Sequence, residues 1–388
     1  MTRSPLAPRR PAPGLFATAA AISLIFAATS AAAVTTFNVR NLVSDGSVPA
    51  KTIDPSLVNP WGVSFSPTGP FWVSDNHTGV STLYNGAGTK LGLTVTVPPP
   101  TGASPPSAPT GQVFNGTASF AIGGTKPLFL FGTEDGTISG WAPSFGTTAQ
   151  LAPTSANGQV YKGLAIGSNG TGDHLYAADF HGGVVETYTN GFGSAPTTFT
   201  DPTVAAGYAP FNVQVLGGKL YVTFALQNAD KHDDVGGAGN GYVDVFNLDG
   251  TFNRRLVSLG GQIDSPWGLA IAPTSFREFA GDLLVGNFGD GTISAFDNTT
   301  GAFQGKLLGR DMNPLSFGDL WALTPGNGHS AGDTQKIYFT AGLSGESHGL
   351  FGALSAAPEP AGWAMMIVGF GLAGVALRGR GRRQAEAA

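Results

Sequence analysis

Short apolar runs, each opened by an aromatic residue, recur through the middle of the chain. Polar, glycine-containing residues separate each run from the next apolar run. The opening residues lie 53, 47, 50, 56 and 54 positions apart and are Trp61, Phe114, Tyr161, Phe211, Trp267 and Trp321. Six units of 54 residues fill the 324 residues from 34 to 357. A period of this length is typical of a protein built from repeated structural units.

Each unit contains two further short runs, rich in β-branched and aromatic residues and bounded by Gly, Asn and Asp, as is typical of strands. The second runs are 71–73, 128–131, 175–177, 220–222, 283–285 and 337–339, and the third runs are 80–84, 137–141, 184–188, 242–246, 292–296 and 349–354. Residues 34–357 contain no run with a helical period long enough for a core helix. Four short strands in each of six units predict an all-β fold, a six-bladed β-propeller of four-stranded blades. A pair of β-sandwiches is the alternative, but it does not require the aromatic repeat.

The two ends of this repeat predict how the ring closes. The last unit stops after its third strand near Ala353, whereas an alternating stretch at Phe37–Val39, with Leu42 and Val43, precedes the first unit. We expect this N-terminal strand to complete the last blade. Closure of this kind would be the main substitute for the disulfides that a chain without cysteine lacks.

The composition and the motifs of the chain exclude several kinds of catalytic and binding site. The chain has 58 Gly, 12% charged residues and no Cys, so thiolate catalysis, cysteine metal sites and disulfides are excluded. No Gly-Lys-Ser/Thr phosphate loop occurs, and no Gly-x-Ser-x-Gly motif lies between a strand and a helix. Residues 34–357 hold 13 basic and 23 acidic residues, a net charge of about −10, which would repel nucleic acid.

The N-terminal residues 1–33 have the pattern of an export signal. Arg3, Arg9 and Arg10 precede an apolar stretch from Leu15 to Ala28, and the small residues at 31–33 suit cleavage by signal peptidase. A retained membrane anchor is the alternative, but the apolar run is shorter than the roughly 20 residues of a membrane span. The signal therefore predicts an exported protein whose mature body is 34–357.

The C-terminal residues 358–388 carry three features in a fixed order. Pro358, Glu359 and Pro360 precede an uncharged run from Trp363 to Leu377, predicted as a single apolar transmembrane helix, and the arginines that follow are Arg378, Arg380, Arg382 and Arg383. This order resembles the PEP-CTERM sorting signal of Gram-negative bacteria. The resemblance implies transient anchoring in the inner membrane, processing by exosortase, and a final address in the cell envelope, at the cell surface or outside the cell. A plain membrane anchor or an amphipathic core helix is the alternative.

One face of the predicted propeller gathers most of the polar residues. Because strands within a blade are antiparallel, the loop entering each blade and the loop between its second and third strands share a face, here called the top face. The loops between the second and third strands, here called the second loops, also carry Asn76, Glu134 and Glu346. The candidate ligands for a divalent metal, chosen for their carboxylate or imidazole groups, are Asp75, His77, Asp179, His181, His232, Asp233, Asp290 and His348. The alternative is that these residues only satisfy backbone groups of turns and face water.

The body also resembles a known group of proteins. Asn59-Pro60-Trp61-Gly62, Ser74-Asp75-Asn76 and Ser265-Pro266-Trp267-Gly268 are similar to segments of an uncharacterised exported bacterial family, which pairs an NHL-like or gluconolactonase-like six-bladed propeller with PEP-CTERM tails. The resemblance implies a fold and an address. Gluconolactonase-like enzymes hold a divalent metal through Glu, Asn and Asp at the mouth of the central channel.

Two functions follow as predictions. The first is a noncatalytic envelope or matrix protein whose top face binds a polysaccharide or an envelope protein, since the sequence has no compact catalytic motif. The second is a metal-dependent hydrolase or lyase of the lactonase kind, with its site at the channel mouth. The convergence of acidic residues and histidines at the top face favours this second function.

Overall fold

The computed structural model describes Met1 and residues 34–154, 157–195 and 199–358. The fold presented here is that of the compact unit that starts at Thr35. The predicted signal peptide and the segment after Pro358, with its sorting signal and apolar helix, lie outside the described residues apart from Met1 and Pro358. Within the described residues no helix is long and apolar enough to cross a membrane.

Twenty-five short strands dominate the described residues. Two strands precede the first blade, β1 (Thr36–Ser44) and β2 (Thr52–Ile53). Blade 1 consists of β3 (Pro60–Ser64), β4 (Phe71–Asp75), β5 (Val80–Tyr84) and β6 (Lys90–Thr96), and blade 2 of β7 (Pro109–Phe114), β8 (Phe129–Thr133), β9 (Ile138–Trp141) and β10 (Gln150–Leu151). Blade 3 consists of β11 (Tyr161–Asn169), β12 (Gly172–Asp179) and β13 (Val184–Tyr188).

The second half of the ring repeats the pattern. Blade 4 consists of β14 (Tyr208–Leu216), β15 (Lys219–Leu226), β16 (Tyr242–Asn247) and β17 (Phe252–Val257), and blade 5 of β18 (Pro266–Ile271), β19 (Leu283–Asn287), β20 (Ile293–Phe296) and β21 (Phe303–Lys306). The short β22 (Leu308–Gly309) follows, and blade 6 contains β23 (Leu320–Pro325), β24 (Ile337–Ala341) and β25 (Leu350–Ala356). The helices described are four 3₁₀ segments, Asn76–Thr78, Pro143–Phe145, Asn190–Phe192 and Thr274–Phe279.

The predicted all-β, six-bladed propeller is confirmed. Each predicted second and third run coincides with a strand to within a few residues. Blade 3 departs from the four-strand pattern, since an isolated bridge between Tyr188 and Ser194 stands where its fourth strand would pair.

The N-terminal strand closes the ring, as predicted. β1 pairs antiparallel with β25, from Phe37 opposite Ala356 to Ser44 opposite Leu350, and so becomes the fourth strand of blade 6. The side chain of Phe37 is 1% exposed and packs on Phe276 of the loop in blade 5, with ring centroids 4.7 Å apart. The start of the first strand is thus anchored in the core shared by the last two blades.

Thr36 and Ala357, at the start of β1 and just after β25, lie together on the face opposite the top face, here called the lower face. Third strands run from the top face to the lower face, so β25 ends, and β1 begins, at the lower face. The Ala357 amide donates a hydrogen bond to the Thr36 carbonyl at 2.7 Å, and the Arg277 guanidinium donates one to the Ala357 carbonyl at 2.8 Å. Thr35 bonds Glu278 beside them through its amide, at 2.8 Å, and through its hydroxyl.

Bulges in the innermost strands show which residue of each unit occupies the same position in its blade. Each has a bulge one or two residues before the regular ladder resumes, for example between Pro60 and Val63. The bulges align one residue in each blade, here called the ring position, and these residues are Trp61, Thr110, Lys162, Phe211, Trp267 and Trp321. Tyr161 begins β11 as predicted, one residue before the ring position. Phe114 instead ends β7, so the predicted start of the second unit was wrong, four residues after the ring position at Thr110, because the ring position in blade 2 is not aromatic.

The repeated Pro-Trp-Gly segments are explained by this geometry. The residue before each Pro, Asn59 or Ser265, has a φ of 48° or 43°, a left-handed conformation that turns the chain into the strand. A proline is tolerated at the first residue of a strand. A Cβ on Gly62 would lie 2.5 Å from the Thr110 carbonyl oxygen, so glycine here lets the innermost strand of the next blade approach.

Candidate functional site

Aromatic side chains fill the central channel at the ring position. Trp61 and Trp321 stack with centroids 3.5 Å apart, and Trp267 meets both edge-on at 6.3 and 5.8 Å. Phe211 packs on Trp321 at 6.0 Å and on Phe180 at 5.2 Å. These five buried residues, here called the aromatic plug, form the floor of the channel mouth on the top face.

Lys162 is the charged residue among the ring positions. Its side chain is only 2% exposed, and its ammonium lies over the rings of Trp61 and Phe180 at 5.1 and 5.9 Å. The ammonium donates hydrogen bonds to Glu134 and, at 3.3 Å, to Asp233. Burial alone would lower the pKa of Lys162, but the two carboxylates outweigh it and raise that pKa, so the side chain stays charged.

A chain of hydrogen bonds continues from this ion pair around the mouth. The Asn76 amide donates to Glu134 Oε2 at 2.9 Å, and Asn59 Nδ2 lies 3.4 Å from Asn76 Oδ1. Asn59 Nδ2 also donates to Glu346 Oε2 at 2.6 Å, while Asn59 Oδ1 accepts from the Trp321 indole at 2.9 Å. The mouth cluster is defined as Asn59, Asn76, Glu134, Lys162, Asp233 and Glu346. It draws on five blades, and the indole bond fixes which way the Asn59 amide points.

Glu346 has the most unusual surroundings in the mouth cluster. It ends a left-handed turn in which Leu343, Ser344, Gly345 and Glu346 all have positive φ, and its amide donates to Asp319 Oδ2 at 3.0 Å. Burial, the charge of Glu134 and that of Asp319 raise the pKa of Glu346 to about 7, against the opposing effects of the Asn59 bond and of Lys162. Burial likewise raises the pKa of the neighbouring Asp234 to about 6.

Three of the predicted metal ligands lie at the mouth cluster. His232 Nδ1 is 2.8 Å from Asp233 Oδ1, and these two residues together with Glu134 offer ligand atoms that all lie within 4.8 Å of one another. His77 Nε2 is 3.4 Å from Asn59 Nδ2. These residues come from the second loops of blades 1, 2 and 4.

Four other candidates are bonded elsewhere. Buried Asp75 accepts from the Thr82 hydroxyl at 2.7 Å, and Asp179 accepts the amides of Val160 and Gly182 at 3.0 Å. Asp290 pairs with Lys306 at 2.8 Å, and His348 Nδ1 lies 2.7 Å from Asp45 Oδ2. His181 is exposed in its loop.

Lys162 and Asn59 were missed as site residues by the sequence reasoning. Asn59 was noticed only as part of a motif, although it bonds Glu346 across 287 residues of sequence. Lys162 precedes a glycine, as do the ring positions of blades 1, 2 and 5, and this signal could have been found if those four units had been aligned on that glycine.

The donor groups can be tested for a resident divalent metal. Two carboxylates and an imidazole are suitable ligands for a transition metal. In this chain, however, Glu134 Oε1 and Asp233 Oδ1 already face the Lys162 ammonium, which aromatic rings enclose. The three groups therefore suit a metal by type but surround a cation that the chain itself supplies.

Relatives of the chain are found in a giant virus. Uncharacterized protein R648 of Acanthamoeba polyphaga mimivirus is 34% identical over 337 residues, which cover 83% of this chain and 81% of that protein. The chain belongs to the family of this viral protein. Uncharacterized protein L690 of the same virus, another member, is 33% identical over 339 residues, which cover 83% of this chain and 86% of that protein. Membership in the family brings no activity, and the bacterial origin and sorting signal implied by resemblance stay predictions.

Some solved structures are similar to this chain at low sequence identity. A streptogramin B lyase has a TM-score of 0.48 and 11% identity, covering 83% of this chain and 98% of that chain. The soluble aldose sugar dehydrogenase of Escherichia coli has a TM-score of 0.48 and 12% identity, covering 83% of this chain and 100% of that chain. No model of a known protein family matches the chain.

Proposed function

We propose that the mouth cluster is the active site of a hydrolase or lyase that uses acid–base chemistry on a small polar substrate. The observation that carries the proposal is the placement of Glu346 at the mouth of the channel, where Asn59 donates to its Oε2 at 2.6 Å and where burial and the nearby charges of Glu134 and Asp319 raise its pKa to about 7. A group with a pKa near the working pH is present in both its acid and its base form, which suits proton transfer in either direction.

The two glutamates of the cluster have different partners and so suit different roles. Glu134 is bonded by a buried ammonium and an amide, which hold its carboxylate in one orientation. Glu346 has a neutral amide partner in Asn59, and its charge is repelled by Glu134. Two carboxyl groups set apart by their environments are a recurrent arrangement in acid–base catalysis.

The proposed proton path begins and ends at Glu346. In hydrolysis its carboxylate takes a proton from the attacking water, and the resulting carboxylic acid returns that proton to the leaving oxygen. In a lyase reaction the carboxylate takes a proton from carbon, a carbon–carbon double bond forms as the neighbouring carbon–oxygen bond breaks, and the carboxylic acid gives its proton to the departing oxygen. Asn59, whose amide orientation is set by Trp321, holds one oxygen of Glu346 in place for either reaction.

The charge of the mouth favours a neutral substrate. The Lys162 ammonium is matched by Glu134 and Asp233, so it leaves no free positive charge to attract an anion. Glu346 and Asp234 add negative charge as the pH rises above their pKa values of about 7 and about 6. Lactones and esters without charge are therefore the substrates to test first.

The test compares Glu346→Gln with the wild type on a panel of neutral lactones and esters. Asp249→Asn, an exposed carboxylate in a lower-face loop, is the matched control. We expect kcat/KM to fall by about 10²-fold or more in Glu346→Gln, with loss of the ionisation near pH 7, and to be unchanged in the control. Unchanged kcat/KM and pH dependence in Glu346→Gln would refute the role of Glu346.

The binding function predicted first from the sequence makes a different prediction for the same variant. A noncatalytic top face would hold a glycan or an envelope protein without turnover, and Glu346→Gln would alter affinity alone. The acidic, exposed loop that carries Asp233, whose side chain is 61% exposed, is the surface on which such binding would be sought. Export, processing by signal peptidase and exosortase, and envelope localisation stay predictions, for which cell fractionation is the test.

A further inference from the structure

The position of Lys162 leads to an inference about metals that goes beyond the proposed function. Glu134, His232 and Asp233 form the one group among the described residues whose carboxylate and imidazole atoms come close enough to share a metal ion. Carboxylate and imidazole groups at this separation are suitable ligands for a divalent cation. Here a cation is already present, because the Lys162 ammonium bonds both carboxylates.

We infer that Lys162 is a built-in substitute for a metal ion, and that the mouth cluster works without a resident divalent cation. The substitution is possible because the ring position points toward the channel axis in every blade, where the other blades have Trp, Phe or Thr. A lysine at this position reaches the carboxylates of blades 2 and 4 from blade 3.

The surroundings of Lys162 hold its ammonium beside the two carboxylates. Its side chain is enclosed by the aromatic plug, with Trp61 and Phe180 beneath the ammonium, and the Trp267 indole donates to the Lys162 carbonyl at 3.2 Å. A divalent ion bound by Glu134 and Asp233 would stand beside this immobile positive charge. Because Lys162 is buried and Glu134 is largely buried while Asp233 is exposed, solvent would screen the repulsion only in part. The protein can hold the ammonium or the metal at these carboxylates.

Removing the ammonium should therefore create a metal site. In Lys162→Met the stem is replaced by an apolar side chain of similar length, and Glu134 and Asp233, two of the three donor groups, lose their common partner. We expect the full-length variant to bind Zn²⁺ or Mn²⁺ at one ion per chain at least about tenfold more tightly than the wild type, by isothermal titration. Adding His232→Ala to this variant should reduce the gained affinity for the metal. The matched control is Lys90→Met, which removes the lysine that pairs with Asp54 and should gain no affinity for the metal.

Thermal melting gives a second readout that does not depend on turnover. Zn²⁺ should raise the melting temperature of Lys162→Met and leave that of the wild type unchanged, because a ligand stabilises only a fold that binds it. The inference is overturned if the wild type binds one ion per chain through Glu134 and His232 as tightly as Lys162→Met does. If Lys162→Met does not fold, elemental analysis of the wild type and of the single variant His232→Ala is the test. A stoichiometric metal that is present in the wild type and lost in His232→Ala would also overturn the inference.

Discussion

Phe37 is the side chain with which closure of the ring can be tested most directly. It lies on β1, is 1% exposed, and belongs to the core shared by blades 5 and 6. Truncating a buried Phe to Ala costs about 3–5 kcal/mol, because apolar contact is lost and a cavity remains. The rings of Phe276 and Phe279 lie 4.7 and 6.2 Å away, and aromatic pairs of this kind add about 0.5–1.5 kcal/mol beyond burial. We therefore expect Phe37→Ala to lower the free energy of unfolding by about 4 kcal/mol.

The matched control is Val39→Ala on the same strand. Val39 pairs with Leu354 through its backbone, but its side chain is 39% exposed, so its truncation should cost under about 1 kcal/mol. The assay is urea unfolding of both variants, followed by tryptophan fluorescence and by circular dichroism to check that the transitions coincide. Deletion of residues 34–46 should shift the midpoint further than Phe37→Ala. Equal midpoints for Phe37→Ala and Val39→Ala would refute closure through this strand.

Two further predictions concern the mouth and the innermost strands. Because the pKa of Glu346 is raised to about 7, its contribution to stability is complete below about pH 4.5 and is lost as the pH rises through about 7. Glu346→Gln should therefore unfold at a higher urea concentration than the wild type at pH 8 and at the same concentration at pH 4.5. An equal difference at both pH values would contradict this. Gly62→Ala would bring a Cβ to 2.5 Å from the Thr110 carbonyl oxygen and should destabilise the protein by about 1–3 kcal/mol in a thermal melt. The control is Gly92→Ala, whose Cβ would have no atom within 4 Å and which should cost well under about 1 kcal/mol. Similar losses in both variants would show that the innermost strands can move apart.

The sequence was a reliable guide to the second and third strands because their burial imposes a pattern that any blade must meet. β5 and β13 begin and end at the predicted residues, Val80–Tyr84 and Val184–Tyr188. The first strands are constrained differently, since the ring position must fill the channel without having to be aromatic. Thr110 meets this need by donating to the Tyr161 carbonyl at 2.6 Å, and Lys162 by forming ion pairs.

The mouth cluster could be predicted only as a face of the molecule. Choosing residues by chemical type selected Asp75 and Asp179, whose carboxylates instead bond a hydroxyl or turn amides in their own or adjoining segments. The residues that meet at the mouth do so through side-chain directions set by bulges and left-handed turns, as for Asn59 and Glu346. Those conformations depend on how neighbouring blades pack, and no local sequence pattern encodes them.

The hydrogen bond between Thr36 and Ala357 sets which face of the propeller an attachment at either residue would meet. Thr36 and Ala357 are hydrogen-bonded neighbours on the lower face, whereas the mouth cluster opens on the top face. A resin or sensor chip attached at Thr36 or Ala357 would therefore meet the lower face first. The channel mouth would then point toward the surrounding medium, and the immobilised propeller would present its polar opening to solutes.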